Sequence, residues 1–187
     1  VNVETCVAAV GWETHPMATS RTPRRPNTLG PTGLQVAANI RRIRQLRGLS
    51  TTEMARRLTE RGRPITAVAI TNVEHGRRRV DVDDLVAFAA VLDVSPSALL
   101  LPPTAVGWVE VTGVGVVAAH DAWRWLDGQW PLGAPRDPEQ LRRRLMDFFL
   151  MSRPEGIPPY HDVDRVVEWM RDFGETPFER DNEVPPE

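Results

Sequence analysis

The sequence predicts a mainly α-helical protein, with a five-helix domain over residues 31–103 and a small α+β or mostly helical accessory region over residues 104–174. Three observations carry this prediction. Apolar residues recur at three- and four-residue spacings from position 34 onward. Capping residues and stop glycines punctuate that pattern at short intervals. The stretch Trp108-Val109-Glu110-Val111-Thr112 instead alternates apolar with polar residues, as a strand does.

In the first helix Val36, Ile40, Ile43 and Leu46 form the apolar stripe, and Arg41, Arg42, Arg44 and Arg47 lie mainly on the other face. Gly48 ends it. Ser50 and Glu53 make a capping-box pattern, after which Met54, Ala55 and Leu58 give the second helix its inward side. A third helix fits residues 66–75, with Ala69, Ile70 and Val73 facing inward and Gly76 suited to its C-terminal stop. Asp81 caps the fourth, Asp83 and Asp84 favour its positive end, and Leu85, Phe88, Ala89 and Leu92 supply its core stripe. Ser95 and Pro96 open a short fifth helix that ends in Leu99, Leu100 and Leu101, and Pro102 with Pro103 closes the domain. Brief connections let five such helices surround one small core.

Residues 1–30 carry Pro16, Pro23, Pro26 and Gly30 beside the basic cluster Arg21, Arg24 and Arg25, and read as a flexible basic leader. Beyond the strand, Val116-Val117-Ala118-Ala119 forms a second strand or leads into a helix over residues 121–126. Trp108, Trp123, Trp125 and Trp130 are dense enough to mark a core, a protein contact or, least of all, a ligand cage. Helices follow over residues 137–151, with Leu141, Leu145, Phe148 and Phe149 inward, and over residues 161–173, with Val163, Val166, Val167, Trp169 and Met170. Residues 175–187 read as a loose acidic tail.

The net charge of −2 hides a division along the chain. Residues 21–79 hold 14 arginines against three glutamates, whereas residues 80–187 hold nine arginines against 20 carboxylates. The first part attracts phosphate and the remainder repels it. Apolar runs are too short to span a membrane, no basic segment with a long apolar core opens the chain, and the expected location is cytoplasmic. Cys6 is the only cysteine, so neither an internal disulfide nor a cysteine-built zinc site is available. His15, His75, His120 and His161 are scattered, and His120-Asp121 and His161-Asp162-Val163-Asp164 lack diagnostic metal spacing. No cofactor, metal or catalytic motif is expected, so the chain reads as a non-enzyme.

Three ordered blocks carry a family resemblance: Leu49-Ser50-Thr51-Thr52-Glu53-Met54-Ala55-Arg56-Arg57-Leu58, Ile65-Thr66-Ala67-Val68-Ala69-Ile70-Thr71-Asn72-Val73-Glu74-His75-Gly76-Arg77, and residues 85–100. Together they resemble the phage-repressor type of helix-turn-helix domain, the Xre class. The resemblance implies a DNA-binding domain of five helices, usually dimeric on double-stranded DNA, whose third helix enters the major groove. It implies that Leu49, Ala55, Leu58, Ile70 and Val73 hold the second and third helices at their angle. Thr51, Thr52, Ala67, Val68, Thr71 and Asn72 then lie near bases or phosphates. Their chemistry agrees: Asn72 offers a paired donor and acceptor to adenine, and Ala67 or Val68 can touch a thymine methyl. Val68 in the core, or Asn72 as a solvated helix residue, is the alternative. Arg41, Arg44, Arg63, Arg77, Arg78 and Arg79 are the candidates for contacts with the DNA backbone.

The sequence departs from the family in one place. Seven residues, 59–65, stand where two are common, so that either the second helix runs longer or the third helix changes its angle; the first outcome brings Arg61 and Arg63 nearer DNA. Glu74 reads as a salt bridge that fixes the following arginine loop. The implied function is a sequence-specific transcriptional regulator, a repressor and a homodimer. The alternative is a DNA-tethered interaction subunit, antitoxin-like or a phage regulatory component, that engages a protein through residues 104–174. A nucleic-acid enzyme would require His120, Asp121, Asp162 and Asp164 to converge.

Overall fold

Most helix starts among the described residues are set by side chains that satisfy otherwise orphaned backbone N–H groups, the helices that follow Gly30 and Ala118 being the exceptions. The structure, a computed structural model, describes residues 28–159 and 161–174; the expected leader up to residue 27 and the acidic tail from residue 175 lie outside them. In chain order the helices are α1 (Pro31–Leu46), α2 (Thr51–Glu60), α3 (Ala67–Glu74), α4 (Val82–Leu92) and α5 (Pro96–Leu100). Then come β1 (Trp108–Val111), β2 (Gly115–Ala118), α6 (Ala119–Leu126), α7 (Pro138–Ser152) and α8 (Val163–Phe173). Ser50, Thr66, Asp81 and Ser95 accept hydrogen bonds from the N–H groups of Glu53, Ala69, Asp84 and Ala98. Each such cap stabilises its helix by about 1 kcal/mol. At the other ends, Gly48 (φ 65°) and Gly76 (φ 68°) adopt the left-handed conformation that reverses the chain after α1 and α3.

The first core joins α1 to α5. Ile40, Met54, Leu58, Ile70, Val73, Phe88 and Leu99 are fully buried within it, and Val36 and Ile43 complete the inward stripe of α1. Leu46, expected on that stripe, is 74 % exposed. It lies on the last turn of α1, where the chain is about to reverse at Gly48, and Leu49 packs against the core beyond that reversal.

Pro102 and Pro103 do not end the packing. Leu100 touches both the first core and a second cluster of Leu101, Val109, Val111, Ala119 and Ala122. That cluster sits under an antiparallel hairpin in which Val109 pairs with Val117 and Val111 with Gly115. Val116, left open between strand and helix by the sequence, therefore belongs to a strand. Two contacts tie the hairpin side to the helices. The Thr112 N–H donates to Thr32 Oγ1 at 2.9 Å, and Trp123 Nε1 donates to the Pro102 carbonyl at 3.1 Å. Asn39, 1 % exposed in the middle of α1, gives both amide hydrogens to the exit of α5, at 3.0 Å to the Leu99 carbonyl and 2.6 Å to that of Leu101.

A third cluster packs α7 on α8 through Leu141, Leu145, Phe149, Val163, Val166, Val167 and Met170, closed by Trp130. The four tryptophans therefore share no single core. Trp108 is 76 % exposed, Trp123 and Trp125 border the hairpin cluster, and Trp130 joins the α7–α8 pair. Sequence proximity failed here because strand alternation turns Trp108 outward while Val109 and Val111 turn in.

One ion pair crosses the first core. Arg44 on α1 donates through Nε and Nη2 to the two carboxylate oxygens of Glu74 on α3, at 2.6 and 2.8 Å, and through Nη1 to the Leu49 carbonyl at 2.7 Å. Their side chains are 13 % and 4 % exposed. Glu74 thus fixes α1 to α3, not the arginine loop that follows it. The hydrogen bond to Glu74 raises the Arg44 pKa above its ordinary value against the opposing effect of burial.

Glu74→Ala should destabilise the protein by about 3–5 kcal/mol in urea unfolding, because it strands a largely buried guanidinium, whereas an Arg44→Met, Glu74→Leu double change should recover much of that loss. Asn39→Ala should cost about 1–3 kcal/mol by leaving two carbonyls without their donor; unchanged unfolding would contradict its bridging role.

Candidate nucleic-acid interface

The candidate surface is the outward face of α3 with the start of α2. Ile70 and Val73 turn α3 into the core, so its remaining arc, at positions 67, 68, 71 and 72, points away from it. Val68 is 72 % exposed, which removes it from the core, and Ala67, Thr71 and Asn72 are partly exposed. The Thr71 hydroxyl donates to the Ala67 carbonyl at 2.9 Å, leaving its oxygen as an acceptor. The Asn72 carbonyl accepts from the Arg77 N–H at 2.8 Å and from the Arg78 N–H at 3.2 Å, which ties the helix end to the following loop. Thr52 is exposed and Thr51 partly so, on the first turn of α2.

The enlarged connection takes the first of its two expected forms. α2 continues past Leu58 to Glu60, Gly62 (φ 80°) turns the chain, and the Arg63 N–H donates to the Leu58 carbonyl at 2.9 Å. Ile65, 4 % exposed, then enters the first core immediately before the α3 cap. Residues 61–64 form a pinned turn outside the core, between the extended end of α2 and the buried Ile65.

The arginines around this face differ sharply in their commitments. Arg41 and Arg77 are exposed; Arg41 lines an open groove of about 420 Å³ with Ala38, Gln45 and His75, beside the end of α3. Arg79 donates to the Thr28 carbonyl at 2.8 Å. Arg44, expected on the DNA backbone, is turned inward to Glu74. Arg63 and Arg78, expected there too, meet on Asp84: Arg63 Nε lies 2.8 Å from Oδ1 and Arg78 Nη2 lies 2.8 Å from Oδ2. Arg63 also binds the two Asp81 oxygens at 2.9 and 3.0 Å.

Asp84 is the residue that sequence reading missed as a site. Its place in the first turn of α4 suits the helix dipole, but its 1 % exposed side chain also needs partners, and both come from the loops flanking α3. The Arg63 pKa is raised chiefly by its hydrogen bond to Asp84. The Asp81 carboxyl is held below its ordinary value, first by the hydrogen bond from the Asp84 N–H and then by Arg63, although partial burial opposes this. On α2, hydrogen bonds from Arg56 and Arg57 push Glu53 down to about 2, so these two arginines are engaged as well.

The four remaining candidates for metal or acid chemistry do not come together. His120 Nε2 lies 3.1 Å from Asp121 on α6, Asp162 caps α8, and Asp164 binds Arg142 at 2.8 Å. Among the described residues no group of three or more His, Cys, Asp or Glu side chains could hold a metal ion. No helix among them is long and apolar enough to cross a membrane.

Comparison with known proteins agrees with the geometry. A family model described as a helix-turn-helix domain matches residues 35–100, the stretch that holds all but the first turn of α1 and the whole of α2 to α5. No curated protein and no solved structure matches the chain. Caps, core, ordered sequence blocks and family match coincide, and residues 35–100 are a helix-turn-helix domain of the Xre, phage-repressor-like class, with the DNA-binding regulatory role that this class implies.

Proposed function

We propose that the protein is a sequence-selective regulator that binds double-stranded DNA with α3 in the major groove and represses by occupying promoter DNA. The observation that supports this most is the open arc of α3: its opposite side is locked in the core, while Val68 stands 72 % exposed between Ala67, Thr71 and Asn72. Asn72 reads adenine through its paired donor and acceptor, and Ala67 and Val68 meet thymine methyls. Thr51 and Thr52 approach from the start of α2. Arg41, Arg77 and Arg79 neutralise phosphates. The protein acts in the cytoplasm as a homodimer, residues 31–103 serving as the DNA-binding part and residues 104–174 as the accessory part.

A second reading, a DNA-tethered subunit that engages another protein, is favoured by one feature. Met146, Leu150 and Met151 on α7 are 57 %, 75 % and 77 % exposed, three large apolar side chains left open on one helix. A stoichiometric partner retained by the full chain through this face would favour it.

Duplex affinity measured by fluorescence anisotropy should fall steeply with salt. Asn72→Ala should reduce discrimination between preferred and altered sites by about 1–3 kcal/mol, whereas Arg77→Gln should weaken all duplexes and lower the salt slope by about 0.9. Absence of duplex binding at about 50 mM salt, where phosphate contacts are strong, would overturn the proposal.

A further inference from the structure

We infer that Asp84 is the anchor that positions the reading helix, and that Arg63 and Arg78 serve as its two tethers instead of as phosphate contacts. The inference rests on the proposal that α3 reads duplex DNA and deepens it by assigning residues that tune specificity without touching a base.

The geometry is nearly symmetrical about α3. Arg63 stands four residues before its first residue, Ala67, and Arg78 four residues after its last, Glu74. Both guanidinium groups converge on one carboxylate at the start of α4, one on each oxygen, at 2.8 Å. Because the Asp84 side chain is 1 % exposed, water cannot replace either partner at low cost. The two loops entering and leaving α3 are therefore held to a third helix through a single buried point. Glu74 fixes the same helix to α1, so α3 is gripped from two directions.

Charge explains why the tethers make poor phosphate ligands. Arg63 and Arg78 carry two positive charges toward three carboxylates, Asp81 at 2.9 Å, Asp84 at 2.8 Å and Asp83 at 3.9 Å. A phosphate approaching this cluster meets a local negative excess. An arginine held by an internal carboxylate neutralises no phosphate, so it displaces few of the counterions condensed on DNA and adds little to the salt dependence of binding. Arg41 and Arg77, exposed on the same domain, face no such competitor among the described residues.

The roles separate in a double-mutant cycle on the full chain, read as affinity for a selected duplex and for an unrelated duplex across a salt series. Arg63→Gln and Arg78→Gln should each leave the salt slope within about 0.3 of wild type while reducing the specific-to-unrelated affinity ratio by roughly tenfold, and Arg77→Gln should lower the slope by about 0.9. In an Asp84→Asn background, Arg63→Gln should add no further loss of discrimination. A slope reduced by about 0.9 in Arg63→Gln and Arg78→Gln, with the ratio kept, would overturn the inference and make them phosphate contacts. An unchanged ratio with an unchanged slope would overturn it too, leaving the cluster a role in stability alone. Should Asp84→Asn fail to fold, the two arginine variants, whose side chains are 37 % and 39 % exposed, still decide the matter. Wild-type protein that binds no duplex would instead defeat the proposed function, and this inference with it.

Discussion

The bidentate pair between Arg44 and Glu74 is the constraint on which the DNA-binding domain depends. A carboxylate on the inward side of α3 is costly to bury without hydrogen-bond partners, and the guanidinium of α1 meets it with two parallel hydrogen bonds. This fixes more than a distance. A fork on two oxygens also limits rotation of α3 about its own axis, and that rotation determines which side chains face outward. With Ile70 and Val73 buried beside Glu74, positions 67, 68, 71 and 72 are left facing away from the core. The third donor of Arg44 holds the Leu49 carbonyl, so the entrance to α2 is set by the same side chain.

The second half of the chain is joined to this unit by ordinary packing and two polar stitches. Leu100 and Leu101 occupy adjacent positions but serve different clusters, Leu100 bordering both and Leu101 buried beneath the hairpin. Asn39 accounts for the chain's path between them, since its two amide hydrogens capture the carbonyls on either side of Leu100. The prolines at 102 and 103 stop α5 without stopping the fold. The α7–α8 pair has its own apolar cluster and its own ion pairs, Arg142 with Asp164 and Arg171 with Glu139. It contributes no residue to the open face of α3.

Local chemistry was legible in the sequence because its causes are local. Ser50, Asp81 and Ser95 cap helices within three residues of themselves, and glycines at 48 and 76 stop helices where a left-handed residue is required; Thr66, expected inside the third helix, is its cap instead. The candidate reading face came from the family resemblance, and the structure places positions 67, 68, 71 and 72 on the side of α3 turned away from the core. Arginine roles were not legible, since a run of basic residues does not reveal which of them will find a carboxylate. Arg44 and Glu74 are 30 residues apart, and Arg63 and Asp84 are 21 apart. The basic excess of residues 21–79 thus overstated the charge available to DNA, because part of it is matched by Asp81, Asp83 and Asp84 outside that window. The tryptophans misled for the opposite reason: they are close in sequence, but a hairpin and a turn distribute them to different environments.

The domain therefore presents a mildly polar α3 held by two internal ionic grips, with Arg41 and Arg77 exposed around it. Under the proposed function, such a helix would discriminate through shape and a few base contacts, not through arginine forks on guanine. The most direct measurement of this account is unbiased selection of bound duplexes from a random pool by the purified full-length protein. Recovery of a recurrent motif containing an adenine whose selection disappears in Asn72→Ala is the predicted result. Duplexes no more alike than the starting pool would contradict sequence-selective recognition by this helix.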